Sequence, residues 1–270
     1  MTDLNAQFAG TIPATYDRCL GPLLFEPYAR DFVSRLPWDQ YQDVLELAAG
    51  TGILTHHLRR ALPARANLTA TDLNPDMLAI AQAKYPNLPR VAWRQADAQA
   101  LPFPDASFDA VACQFGIMFF PDKPAACRDI RRVLKRGGLF AFSVWDSLDH
   151  NPLGAIARST VNRFFTADPP TFYDVPYGFA NPPLLREWLV QAALEVLSMD
   201  SVAQVNQSPS AYAAAEGIIA GNPALISIQE RATAPADLIV RAAAEELGAR
   251  YGHAPCRLPM RALVITARAV

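Results

Sequence analysis

The stretch Val44, Leu45, Glu46, Leu47, Ala48, Ala49, Gly50, Thr51, Gly52, Ile53, Leu54, Thr55 constrains this chain more than any other. Residues 44–47 read as a short buried strand, Gly50 and Gly52 punctuate a turn, and the residues after Gly52 begin an amphipathic helix. A strand, glycine turn and helix in that order suit a site for something small. Glycine lets the backbone approach a ligand closely, and the first turn of a helix offers N–H groups with no partner inside the helix.

At 270 residues the chain suffices for one large α/β domain, or for a core domain with a substantial insertion. Hydrophobic residues make up 51% and charged residues 19%, the balance of a globular chain with an ample core. With 24 basic and 26 acidic side chains the formal net charge is -2, so no overall field favours nucleic acid or anionic lipid. Cys19, Cys113, Cys127 and Cys256 are scattered, without a CxxC pair or Cys/His cluster, and read as ordinary thiols of a reducing compartment. The opening MTDLNAQFAG is not a basic segment followed by an apolar run, and no apolar stretch reaches the roughly 18 residues of a membrane span. A cytoplasmic protein is expected.

Along the chain, residues 14–36 read as one or two helices whose boundaries Pro22 and Pro27 set or interrupt. Tyr16, Phe25 and Tyr28 read as packing residues, with a lid role as the alternative. A second strand, 67–72, ends in Asp72, twenty residues beyond Gly52. An acid at that point of a doubly wound fold can accept hydrogen bonds from ribose hydroxyls, while Asn74 is placed to cap the next helix. Met77, in that helix, is a candidate contact for an adenine face. A third strand at 91–95 is followed by Asp97, and residues 108–115 read as a buried fourth strand. The basic run 128–136 lacks interleaved aromatics and reads as a solvated helix face rather than an RNA patch. Gly137 and Gly138 are expected to end that helix, with a fifth strand at 139–145.

The later chain is less repetitive. The proline- and aromatic-rich segment with Phe172, Tyr173, Tyr177 and Phe179 is either a connecting loop or the lining of an apolar pocket. A helix at 184–193, a sixth strand at 195–205, two or three helices over 210–250 and a last strand at 260–268 complete the pattern. No HExxH motif or compact ligand cluster is present, so metal dependence is not expected. His150, five residues past the fifth strand in the loop DHNP, is the candidate general base, since an imidazole titrates near neutrality.

ELAAGTG at 46–52, Asp72, Asp97 with Ala98, LPFPDASFDAV at 101–111 and RVLKRGGLF at 132–140 occur in an order that resembles the class I S-adenosylmethionine-dependent methyltransferases. The resemblance is strongest to the small-molecule branch that includes the ubiquinone/menaquinone biosynthesis methyltransferases, and it covers about residues 40–145. It implies a Rossmann-like α/β fold: a mixed seven-stranded sheet with a terminal hairpin and helical lid additions. It implies S-adenosyl-L-methionine as cofactor, with Glu46 organising the glycine loop or contacting the cofactor's amino group through its surroundings, and Gly50 and Gly52 flanking the methionine part. Asp72 would hold the ribose, Asp97 with Ala98 would address adenine, and Gln114 would border the methionine and reacting methyl; Ala48, Leu73 and Met77 join them as cofactor-binding candidates. Ala48 occupies a position where the family commonly has glycine; its methyl is expected to be accommodated provided that the backbone there is not left-handed.

The expected organisation is an N-terminal helical cap at 1–39, a cofactor core at 40–146, an acceptor or lid segment at 147–185, and remaining strands at 186–270 with a helical insertion at about 206–257. The expected activity is methyl transfer to a small, partly apolar or aromatic metabolite. The alternatives are a protein or RNA methyltransferase, or a cofactor-binding module without catalysis. Nucleic acid is not favoured as a partner, and the oligomeric state is open.

Overall fold

Apolar runs bounded by polar turns become seven strands of one sheet in the computed structural model, which describes residues 4–270. Residues 1–3, where the stretch read for a leader begins, lie outside the described residues. The strands are β1 (Asp43–Glu46), β2 (Asn67–Asp72), β3 (Val91–Gln95), β4 (Phe108–Gln114), β5 (Leu134–Trp145), β6 (Leu194–Ser208) and β7 (Cys256–Ala269). Their order is β3-β2-β1-β4-β5-β7-β6, a mixed sheet of the expected α/β class. β1 pairs in parallel with both β2 and β4, β2 with β3, and β4 with β5. Parallel strands buried on both faces need apolar residues on both, and Ala110, Val111, Ala112 and Cys113 are all fully buried.

The helices are α1 (Ile12–Thr15), α2 (Glu26–Ser34), α3 (Ile53–Ala61), α4 (Pro75–Lys84), α5 (Lys123–Val133), α6 (Pro152–Asn162), α7 (Asp174–Tyr177), α8 (Pro182–Gln191), α9 (Ala211–Ala220), α10 (Ala224–Arg231) and α11 (Ala236–Tyr251). By internal contacts the chain forms two compact units. One comprises Tyr28–Val144, Ala180–Val202 and Ala262–Val270; the other comprises the described residues up to Pro27, Trp145–Phe179 and Ala203–Arg261.

In the first unit, two sequence expectations change. Gly137 and Gly138 do not end α5. That helix stops at Val133, where the Leu134 N–H still bonds the Ile130 carbonyl, and β5 starts at once. Phe108 pairs with Leu134 but Ala110 with Leu139, so the extra β5 residues form a bulge. Gly137 takes φ +78° there, and a Cβ on Gly138 would lie 2.8 Å from the Lys135 carbonyl oxygen and 3.0 Å from that of Asp109. The basic run is also less solvated than its composition suggests. Arg132 bonds Asp129 at 2.6 Å, Asp105 at 2.9 Å and the Leu101 and Phe103 carbonyls at 2.9 and 2.7 Å. Lys135 reaches Asp109 at 2.8 Å and Asp43 at 3.2 Å, and Arg131 donates to the Val270 carbonyl. Only Arg128 and Arg136 of the run are fully exposed.

In the second unit, α9 packs on α11, on α6 and on the helical turns that precede α2. Neither proline interrupts those turns. Residues Tyr16–Phe25 form a wide π-helix between α1 and α2, closed by a bond from the Glu26 N–H to the Gly21 carbonyl. Pro27 has no N–H to give the Leu23 carbonyl four residues back; the buried Asn206 Nδ2 supplies that bond at 2.8 Å. Tyr16 stacks on Phe25 at 4.7 Å, and Phe8 meets both Tyr16 and Phe172 edge-on. Phe172, Tyr173, Tyr177 and Phe179 are buried. The Tyr173 hydroxyl donates to the Ile218 carbonyl at 3.0 Å, and the Tyr177 ring lies so near Gly154 that a Cβ there would be 2.4 Å away. Buried Asn151 ties the start of α6 to β7: its amide donates to the Asp146, Ser147 and Arg261 carbonyls and its oxygen accepts the Arg261 N–H. The four cysteines are free and buried, as their spacing suggests.

Candidate functional site

The sheet order reverses between β1 and β4, since the chain winds outward from β1 through β2 and β3 and then starts again on the other side. In open α/β sheets, ligands bind beyond the carboxyl ends of the strands at such a switch point, where the outgoing loops part. Glu46, Asp72 and Gln114 are the last residues of β1, β2 and β4, so all three stand at that edge within the first unit.

The glycine turn is held by a carboxylate. Asp72 Oδ2 accepts the Gly50 N–H at 2.8 Å, and Oδ1 accepts the Asn74 N–H at 2.8 Å. Asp72 is 7% exposed; burial pushes its carboxyl up, while the N–H groups of Asn74, Gly50 and Leu73 pull it back toward the charged form. The Ala49 N–H bonds the Thr71 carbonyl, and the Thr71 hydroxyl bonds the Glu46 carbonyl, so the turn is pinned to β2 along its length. Asn74 stands at the N-cap position of α4, but its side chain makes no cap bond and instead approaches Asp72 Oδ1 at 3.5 Å.

Gly50 and Gly52 have φ +56° and +79°, which only glycine adopts freely. Ala48 has φ +52°. The methyl at that position is therefore carried in the left-handed region, contrary to the condition on which its tolerance was expected. Space rather than hand explains it: residue 116 is glycine, and a Cβ there would lie 2.3 Å from Ala48 Cβ.

Glu46 is 1% exposed, and its Oε2 has no hydrogen-bond partner. Burial pushes its carboxyl up to about 8, with Asp72 adding to the rise and Thr55 opposing it. The hydroxyls of Thr51 and Ser143 are buried and likewise without partners. Unmade hydrogen bonds on buried polar atoms are costly, and these three fit a site built to be completed by a polar ligand. Of these three residues the sequence pointed only to Glu46. Thr51 lies inside the glycine turn and was open to recognition; Ser143 was not, because only the pairing of Gln114 with Ser143 brings it to the site.

A pH dependence follows from Glu46. A native carboxyl that titrates near 8, against 4.5 in the unfolded chain, holds a proton that the unfolded chain has released. Its stabilising effect is complete below the unfolded value and is lost as pH rises through the native one. Glu46→Gln is expected to remove about 1.4 kcal/mol per pH unit of this fall between about pH 5 and 8 in urea-unfolding curves of the ligand-free protein. Equal slopes for the two proteins would show that Glu46 is ionised in the fold.

The remaining expected residues are less uniform. Leu73 is 41% exposed, whereas Met77, on the buried face of α4, is 4% exposed, so of these two Leu73 presents the open apolar surface. Asp97 is exposed and accepts the Gln99 N–H at 2.9 Å in a local turn, next to buried Ala98. Gln114 is half-buried. His150 belongs to the other unit, in a short 3-10 turn, Leu148–His150, with an exposed side chain. Among the described residues no group of three or more His, Cys, Asp or Glu side chains is placed to hold a metal ion, and no helix is long and apolar enough to cross a membrane.

Residues 45–142 match the family model described as a methyltransferase domain. This span, about a third of the chain, is similar to a methyltransferase domain. The ubiquinone/menaquinone biosynthesis C-methyltransferase UbiE of Citrobacter koseri is 41% identical to the chain over 100 residues, which is 36% of this chain and 40% of that protein. The chain thus matches well under half the length of this curated relative. Among solved structures, a SAM dependent methyltransferase from Aquifex aeolicus aligns over 96% of this chain and 98% of its own, with a TM-score of 0.55 and 14% identity. The [4+2]-cyclase SpnF aligns over 90% of this chain and 80% of its own, with a TM-score of 0.58 and 23% identity. At those identities the two structures share the fold with this chain, and one of them carries a name for different chemistry.

Proposed function

We propose that this chain transfers the methyl group of S-adenosylmethionine to a small, partly apolar or aromatic metabolite. The observation that carries the reading is the glycine turn locked to Asp72 at the switch point of the matched domain. The similarity to UbiE over the domain favours a small acceptor. The neutralised basic run weighs against a nucleic-acid groove, because Arg132 and Lys135 are spent on internal ion pairs. Free, buried thiols suit a cytoplasmic setting.

When bound, the cofactor supplies a sulfonium-activated methyl group, so the protein needs no covalent nucleophile. The work of the chain is positioning and electrostatics. Asp72 has one carboxylate already oriented by two backbone N–H bonds and directs its remaining lone pairs toward ribose hydroxyls. Leu73 offers apolar surface to the adenine ring, with Met77 beneath, and the Asp97–Ala98 turn meets its edge. Gly50 and Gly52 keep side chains out of the path of the methionine part, and Gln114 borders it from β4. Glu46 and the Thr51 and Ser143 hydroxyls supply polar atoms that await partners. His150 is the proposed base for an acceptor that must lose a proton.

The test is titration calorimetry with S-adenosylhomocysteine, followed by incubation with methyl-labelled S-adenosylmethionine and a panel of phenols, quinols, amines and small acids. Binding in the micromolar range and label transferred to at least one acceptor are expected. Tight binding with no transfer across the panel would favour a cofactor-binding module or other chemistry on the same fold, and no binding would remove the reading altogether.

A further inference from the structure

Two residues other than glycine hold left-handed backbone at the ends of neighbouring central strands. Ala48, two residues past β1, has φ +52°, and Phe115, directly after β4, has φ +54°. A side chain with a Cβ disfavours that region, and such strain persists only where the surroundings fix the backbone on several sides. Both positions are so fixed. On either side of Ala48 the Leu47 N–H bonds the Ala112 carbonyl at 2.8 Å and the Ala49 N–H bonds the Thr71 carbonyl at 2.9 Å. The Phe115 N–H bonds the Ser143 carbonyl at 3.1 Å, and its ring meets Tyr28 edge-on at 5.6 Å. Tyr28 is itself buried and anchored through its hydroxyl to the Val202 carbonyl at 3.3 Å.

The two strained segments meet at Gly116. A Cβ on that residue would lie 2.3 Å from Ala48 Cβ and 2.9 Å from Cys113 Sγ. The Ala48 methyl therefore fills the volume that a side chain at 116 would need, with the buried Cys113 sulfur on another side. A glycine at 48 would adopt the same φ without strain, but nothing would then press on the turn after β4.

We propose that Ala48 is a positioning residue for the cofactor site, a role that rests on the cofactor reading above. Its methyl clamps the Phe115–Gly116 turn against the end of β1 and so holds Gln114, the residue before that turn, in the geometry that borders the methionine part.

Four proteins test this: the native chain, Ala48→Gly, Gly116→Ala and the double variant, each measured for urea-unfolding midpoint and for S-adenosylhomocysteine affinity. Ala48→Gly is expected to keep or raise the midpoint while weakening binding about ten-fold, since a loosened site loses alignment without losing the fold. Gly116→Ala is expected to lower both, because its methyl collides with that of Ala48. The double variant, with the methyl moved across the contact, is expected to regain more than half of what Gly116→Ala loses. A merely structural role for Ala48 would move midpoint and affinity together. Affinity of Ala48→Gly within about two-fold of native would overturn the proposal, as would losses that simply add in the double variant. A native protein that binds no S-adenosylhomocysteine would instead show that the cofactor reading has failed.

Discussion

Replacing Asp72 with asparagine is expected to weaken S-adenosylhomocysteine binding about 100-fold and to lower stability by about 2 kcal/mol. The carboxylate serves two masters. Its Oδ2 takes the Gly50 N–H and its Oδ1 the Asn74 N–H, each at 2.8 Å, and hydrogen bonds to a charged acceptor are about twice as strong as neutral ones. An amide can accept with its single oxygen, so its NH2 group would face one of those two backbone donors. Either the glycine turn or the start of α4 would lose its partner. The ribose hydroxyls would lose a charged acceptor as well, which is why binding should fall further than stability. Calorimetry and urea unfolding on the same preparations separate the two effects. An intact fold with affinity within about three-fold of native would sink the ribose assignment and leave Asp72 as a turn fastener.

Gly52→Ala should be the most damaging single-methyl change in the turn, costing about 3 kcal/mol and abolishing measurable cofactor binding. The backbone there has φ +79°, which costs a residue with a Cβ about 1–2 kcal/mol. The new methyl would also stand 2.9 Å from Trp93 Cη2, 3.1 Å from Ala81 Cβ and 3.2 Å from Tyr85 Cδ2. Overpacking against such a wall adds roughly 1–3 kcal/mol. Tyr85 has little room to retreat, since His56 stacks on it at 4.9 Å. Unfolding curves give the comparison, and a loss below about 1 kcal/mol would mean that Trp93 swings aside freely.

Ala48 and Gly52 show how far the sequence could be read. Both were recognisable as members of the turn from spacing, as was Asp72 at the end of the next strand, because strand, glycine turn and helix are local signals. The hand of the backbone at Ala48 was not, since it depends on the missing Cβ of Gly116, which is distant in sequence. The same limit applies elsewhere. Gly137 and Gly138 look like a helix stop until the pairing of β5 with β4 turns them into a bulge. Pro27 stands at the start of α2 as its type suggests, but that Asn206 supplies the bond it cannot make is not legible. The aromatic segment at 172–179 is apolar, and Tyr173 and Tyr177 find partners such as Ile218 and Gly154 that composition does not reveal. What the sequence carries is local geometry and chemical type; what it withholds is which distant atom completes each contact.

The placement of β7 between β5 and β6 bears on how this protein is made. β6 emerges from the ribosome before α9, α10 and α11, but its neighbour in the sheet is translated only after all three. Until residues 256–269 appear, β5 and β6 each present an unpaired row of backbone groups, and a nascent chain with open strand edges is prone to pair with the wrong neighbour. The glycine turn can therefore assemble early, while β5 and β6 wait for residues 256–269 before they are joined in one sheet.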